Sequence, residues 1–211
     1  MQPVKKTILV IALLTCLTGC SGLSKLDFWT LYDRAGWQLP EQVIESLKIN
    51  LGDHVADIGA GGGYFTFLLA EAVGPTGRVY AVDVDMDITE ELEYLVNENG
   101  AFNVVVILAE LEDPLLPDGT IDLVFLCNTY HHIIGRRVDY FSNLRADLKS
   151  EGRVAIVDMK DDLTGILSLW TTEGHWTPRQ LLFTEMEQAG YRHQSGFDFL
   201  PVQNFEIFSV N

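Results

Sequence analysis

Basic residues are scarce in this chain: 14 lysines and arginines stand against 30 aspartates and glutamates, for a formal net charge of −16 over 211 residues. So acidic a chain is poorly made for a groove that grips phosphate backbones, which argues against nucleic acid as a partner. Cysteine is scarce as well. Beyond Cys20 only Cys127 remains, too few thiols for a disulfide framework in the body of the chain. Internal repeats and low-complexity stretches are lacking. The apolar run Thr7 to Leu17 is too short to cross a bilayer as a helix. What the chain does have is a 47% hydrophobic composition and a length that fit one folded domain with a full core and exclude a disordered protein.

Within that domain the residues Val55 to Phe65, VADIGAGGGYF, read as a buried strand that runs into a glycine turn and opens a helix. Glycines at 59, 61, 62 and 63 let a ligand approach the backbone closely, and N–H groups at the helix start can meet its polar atoms. A dinucleotide fingerprint GxGxxG would need glycine at Tyr64 or at Thr66, so nicotinamide binding is disfavoured. The pattern that stands here is DxGxGxG, from Asp57 through Gly59 and Gly61 to Gly63. A second strand, Arg78 to Val82, ends at Asp83, whose carboxylate can accept hydrogen bonds from both hydroxyls of a ribose.

Hydrophobic periodicity alternates strands with helices, the mark of a doubly wound α/β sheet. Strands are expected near 54–58, 78–83, 103–108, 121–127 and 152–158. A helix from Ile88 to Asn99 puts Ile88, Leu92, Leu95 and Val96 on one face, with Gly100 just past its end. Another runs from about Val138 to Leu148, with Val138, Phe141, Leu144 and Leu148 inward. A third begins at Thr177-Pro178, with Thr177 and Gln180 forming a capping box, and stops before Gly190. Phe197 to Leu200 and Phe205 to Val210 read as two final strands interrupted by Pro201.

The joined turn, second strand and acid resemble those of the class I S-adenosylmethionine (SAM) dependent methyltransferases, and the resemblance extends over roughly residues 31–211. It implies a Rossmann-like seven-stranded sheet in the order 3-2-1-4-5-7-6 with the last strand antiparallel. It also implies SAM as cofactor, with its methionine part against Asp57, Gly59, Gly61 and Gly63, its ribose on Asp83, and its adenine beside Glu110 and Leu111. Asn128, at the exit of the fourth strand, joins this cofactor set. Family members usually carry aspartate where this chain has Glu110. Arsenite methyltransferases bind arsenic through several thiolates, which a lone Cys127 does not supply.

The N-terminus is of another kind. Lys5-Lys6 followed by the apolar run has the layout of a signal peptide. Its end, Leu17-Thr18-Gly19-Cys20, resembles the bacterial lipobox, in which the cysteine is lipidated and becomes the new N-terminus. This implies a signal peptide over 1–19, a lipidated linker over 20–30, and a protein anchored to the cell envelope by Cys20, or cytoplasmic if the signal is not used. SAM is made in the cytosol, so signal and cofactor pull in opposite directions.

In an open parallel sheet the ligand crevice lies outside the carboxyl ends of the strands. Acceptor-side residues therefore follow the fourth and fifth strands, at Asn128 to His132 and at Asp158 to Lys160. His131 or His132 could take a proton from an acceptor hydroxyl or amine. Alternatively, one caps the next helix and the other faces solvent. Two adjacent histidines without a third ligand do not make a metal site. Tyr130, with Tyr32 and Trp37 on an aromatic N-terminal arm, is a candidate lining of the acceptor pocket, and Trp170, His175 and Trp176 form a second candidate wall. Methyl transfer needs mainly alignment in a dry site, so no nucleophilic residue is required. The functional expectation is methyl transfer from SAM to a small-molecule acceptor. The competing one is a non-catalytic exported lipoprotein that binds SAM or another nucleoside.

Overall fold

The computed structural model describes residues 34–161 and 176–211. The expected signal peptide, the linker with Cys20, the start of the domain at 31, Tyr32, Trp170 and His175 lie outside them. The chain divides into two units, Met1–Arg34 and Ala35–Asn211, and the second carries the sheet.

Its elements alternate: α1 (Arg34–Gln38), α2 (Pro40–Leu47), β1 (His54–Ile58), α3 (Tyr64–Val73), β2 (Arg78–Asp83), α4 (Met86–Glu98), β3 (Val104–Leu108), β4 (Ile121–Cys127), a short 3-10 turn (Tyr130–His132), α5 (Arg137–Leu144), β5 (Leu148–Met159), α6 (Arg179–Gln188), β6 (Tyr191–Phe197) and β7 (Gln203–Val210). The seven strands form one sheet in the order 3-2-1-4-5-7-6. Strands β1 to β5 are parallel, and β7 runs antiparallel to both β5 and β6. This is the Rossmann-like α/β sheet expected from the sequence.

Period-two alternation along the central strands divides the core between the two faces of the sheet. Val55, Leu123, Phe125, Ala155 and Val157 meet Val43 and Leu47 of α2, Phe65 and Leu69 of α3 and Leu92 of α4. The residues between them, Ala56, Ile58, Val124, Leu126 and Ile156, meet Phe141 and Leu144 of α5 and Leu182 and Met186 of α6. Helices thus cover both faces and leave the carboxyl ends of β1, β2, β4 and β5 at one edge.

Helix α4 packs through Leu92, Ile88, Leu95 and Val96, and its glutamates point outward. Asp85 caps its start by accepting the N–H groups of Asp87 and Ile88, so the helix begins two residues before the expected position. Its end is closed by Gly100 at φ 61°, with the Ala101 N–H returning to the Val96 carbonyl at 3.0 Å, as in a Schellman motif.

Three expectations are corrected. Helix α5 ends at Leu144 rather than Leu148, because Leu148 pairs with Ile121 and begins β5; its side chain is buried in either setting. The expected capping box is absent: α6 starts at Arg179, Pro178 occupies the N-cap position, and the buried Thr177 hydroxyl has no hydrogen-bond partner. The sixth strand is Tyr191–Phe197, and Asp198 to Val202 connect it to β7. Arg192, His193 and Gln194 are exposed on this edge strand, so it carries no apolar alternation to read. Among the described residues no helix is long and apolar enough to cross a membrane.

Candidate functional site

The glycine turn is fastened to the neighbouring strand: the N–H groups of Gly59 and Ala60 both donate to the Val82 carbonyl, at 2.8 and 3.1 Å. Gly59 has φ 76°, and a Cβ there would overlap the Thr129 side chain, so the loop after β4 lies directly on the turn. Gly61 also has positive φ, at 52°, but a Cβ built on it meets nothing within 4 Å. Here the backbone faces open space, and a ligand can reach it. Gly63, at φ 80°, occupies the N-cap of α3 without a side-chain hydrogen bond.

Beneath the turn Asp57 is buried and its Oδ2 accepts the Thr66 hydroxyl at 2.6 Å. It ties the end of β1 to the first turn of α3. Asp83 is half-buried at the end of β2. Its Oδ2 accepts the Gly61 N–H at 3.0 Å and its Oδ1 the Asp85 N–H at 3.2 Å. Each carboxylate oxygen keeps capacity for a further donor, such as a ribose hydroxyl.

The Ala109 N–H donates to the Asp83 carbonyl at 2.8 Å, which sets the stretch after β3 beside the end of β2. Glu110 is exposed and Leu111 is 80% exposed, and Val84 and Met86 after β2 are also largely uncovered. These apolar surfaces suit the face of a purine.

On the acceptor side, Asn128 holds φ 56°, with its N–H on the Val157 carbonyl and its Oδ1 accepting from Gln203 Nε2 at 2.8 Å. Gln38 of α1 is buried and donates to Cys127 Sγ at 3.2 Å. Gln203 Oε1 is buried without a partner, a group that a polar ligand would satisfy. Trp37, the arm residue expected in the pocket, is half-buried on α1, and its neighbour Gln38 reaches the end of β4.

Tyr130 turns into the core below the crevice. It is fully buried, stacks on Phe141 at 5.3 Å, and donates to Glu185 Oε2 at 2.8 Å. Arg137 also pairs with Glu185, at 2.7 Å. Burial, with the Glu185 carboxylate second, pushes the Tyr130 phenol far above its ordinary value. It therefore stays neutral, and it offers no exposed surface to an acceptor.

The two histidines differ. His132 is exposed. His131 is buried, with its Nδ1 at 2.6 Å from Asp158 Oδ1 and its backbone N–H on Asp158 Oδ2 at 3.1 Å. The rings lie 4.1 Å apart. The strand register explains the pairing: Cys127 aligns with Val157, so the residues following each strand emerge side by side. Among the described residues no group of three or more His, Cys, Asp and Glu is placed to hold a metal ion. Sequence reasoning missed Gln38, Thr66 and Gln203, which belong to no local motif.

Comparison with known proteins agrees with this geometry. Residues 55–152 match the family model described as a methyltransferase domain, which covers β1 to the start of β5. The chain is 32% identical over 108 residues to an arsenite methyltransferase of Halobacterium salinarum, covering 51% of this chain and 27% of that protein. It is 31% identical over 97 residues to aklanonic acid methyltransferase DauC of a Streptomyces species, covering 44% of each. A demethylmenaquinone methyltransferase of a Geobacillus species is 32% identical over 84 residues, covering 40% and 36%. The chain thus spans less than half the length of these curated relatives. Among solved structures, a SAM-dependent methyltransferase from Aquifex aeolicus superposes with TM-score 0.78 at 24% identity, over 90% of this chain and 100% of that one. A methyltransferase from Haemonchus contortus, bound to S-adenosylhomocysteine, gives 0.65 at 14% identity, over 83% and 52%.

The fold so defined is that of the SAM-dependent methyltransferases, residues 55–152 match the methyltransferase-domain model, and SAM is the cofactor of that class. The open backbone at Gly61 and the tethered Asp83 fit that cofactor.

Proposed function

We propose that the protein transfers the methyl group of SAM to a small-molecule acceptor. The observation that carries this reading is the cradle formed by Gly61, where backbone meets open space, and Asp83, whose carboxylate is held at the same turn. When bound, the sulfonium supplies an activated methyl group. The chain's own part is to hold ribose with Asp83, to let the methionine end approach the open backbone at Gly61, and to exclude water with the loop after β4. Alignment of acceptor and methyl in such a site accounts for most of the acceleration.

A small acceptor suits the strongly acidic composition, which disfavours nucleic acid. The relatives named for aklanonic acid and demethylmenaquinone act on small molecules by name. The arsenite relative is matched over 27% of its length, and among the described residues Cys127 is the only cysteine. The lipobox-like sequence at Cys20 supports a further part of the proposal, that the protein works at the cell envelope as a lipid-anchored enzyme.

Isothermal titration of the full chain with SAM and S-adenosylhomocysteine tests the first step, with micromolar binding expected. Transfer of a labelled methyl group to a panel of phenols, amines and thiols tests the second. Binding without transfer to any acceptor would convert the enzyme into a SAM-binding protein, and absence of binding would end the proposal.

A further inference from the structure

We infer that the cavity between the stretch after β3 and the outer face of α5 is a second binding site, for a small organic cation that carries a primary ammonium group. Among the described residues, the crossover from β3 to β4 is the one parallel connection of β1 to β5 without a helix. Residues 109–120 run irregularly instead. Between them and α5 lies a cavity of about 490 Å³, within the range of small-ligand sites. Glu112 lines it from this stretch, and Gly135, Arg136, Asp139, Tyr140 and Asn143 line it from α5 and the turn that enters it. A Cβ built on Gly135 meets nothing within 4 Å, so the backbone is open there too.

Three hydrogen-bond acceptors share one face of the helix. Asp139 stands four residues before Asn143 and Tyr140 three, the two spacings that make neighbours on a helix surface. Tyr140 is 6% exposed. Its ring packs edge-on to Phe141 at 5.4 Å, and the part left uncovered lines the cavity. Among the described residues no hydrogen bond reaches its hydroxyl, nor the side chains of Asp139 and Asn143. A nearly buried hydroxyl without a partner calls for one. Carboxylate, phenol oxygen and amide oxygen together match the three N–H donors of an ammonium group.

The charges select the sign of the ligand. Arg136 pairs with Glu112 at the exposed rim, which leaves Asp139 as the uncompensated charge of the lining. Behind it, burial and then the carboxylates of Asp113 and Asp147 hold the Tyr140 phenol above its ordinary value. Asp147 is itself buried, and among the described residues no hydrogen bond reaches its carboxylate. An anion entering here would be repelled by these groups, and a cation is drawn to them. A metal ion is the poorer occupant, because among the described residues no group of three or more His, Cys, Asp and Glu is placed to hold one. The site is also separate from the cofactor crevice at the carboxyl ends of the strands. Helix α5 descends from that edge, and Arg136 to Asn143 carry the cavity about 10 Å down its length.

Isothermal titration of the full chain with butylammonium chloride tests this. Butyltrimethylammonium, at equal ionic strength, supplies the same charge and tail without an N–H. Butylammonium should bind, and the trimethyl compound should bind at least about tenfold more weakly, the usual scale for lost hydrogen bonds to a charged group. Asp139→Asn, which removes the charge, and Tyr140→Phe, which keeps the ring in the core and removes only the hydroxyl, should each weaken butylammonium binding by about tenfold. Melting curves without ligand establish that both variants are folded. Glu41→Gln, at an exposed acid of α2 on the other face of the sheet, should bind as wild type does. Equal affinity of the two cations would mean charge attraction alone and overturns the inference. So does wild-type affinity in either cavity variant, or no binding to wild type at millimolar concentration. No SAM enters the titration, so a negative result leaves the methyltransferase reading untouched.

Discussion

The backbone N–H of Gly61 donates to Asp83 Oδ2 at 3.0 Å. One bond joins the middle of the glycine turn to the acid at the end of the next strand, so the parts expected to hold the methionine end and the ribose are set relative to each other before any ligand arrives. Replacing Asp83 by alanine removes the ribose acceptor and this tether together. SAM affinity should fall by about 1–3 kcal/mol, the usual range for hydrogen bonds to a charged group. Titration calorimetry of the two proteins checks it, and equal affinities would show that Asp83 is not in the cofactor site.

The glycines separate binding from folding. At Gly59 a methyl group would overlap Thr129, so Gly59→Ala should destabilise the protein and shift its melting temperature down. Gly61→Ala adds a methyl group into open space at positive φ, at a cost of order 1 kcal/mol in stability. Its larger effect should be on SAM binding, because the added carbon stands where the ligand approaches the backbone. Thermal melts with and without SAM distinguish the two. A Gly61→Ala protein with wild-type affinity would contradict the cradle.

These relationships also show why half of the site was legible in the sequence. Asp57, the glycines and Asp83 lie within 27 residues of one another on consecutive elements, and a local pattern carries them. Strands β1, β2 and β4 were equally plain because parallel strands covered on both faces are near-continuous apolar runs. The acceptor half is assembled across the sheet. Gln38 meets Cys127 from 89 residues away, and Asp158 meets His131 from 27, through a register that no single segment encodes. Phe197 to Leu200 misled for a related reason: Leu200 is fully buried, but as part of a loop whose carbonyl accepts from Lys160 Nζ at 2.9 Å.

The proposed lipid anchor makes a prediction independent of the fold. Expressed from its full sequence in a bacterium, the protein should sediment with membranes and carry fatty acid on Cys20, since several acyl chains hold where one alone binds marginally. Cys20→Ser should lose the label and leave an unprocessed precursor. Identical mass and fractionation of the two proteins would refute lipidation.

Asp147 should make stability fall as pH rises through the weakly acidic range. It is buried in the turn before β5, and burial, followed by the nearby Asp113 and Asp118 carboxylates, raises its pKa from 3.8 to about 6. The native state therefore holds this proton more tightly than the unfolded chain. Below pH 3.8 the group is protonated in both states and costs nothing. Between 3.8 and 6 the unfolded state loses its proton first, so this group's contribution to folding weakens as pH rises, and above 6 the full penalty is present. Asp147→Asn has no charge to bury. It should be more stable than wild type at pH 8, by about 1–3 kcal/mol, and close to it at pH 4. Urea unfolding at the two pH values measures the difference, and an equal gain at both would show that packing rather than ionisation is responsible.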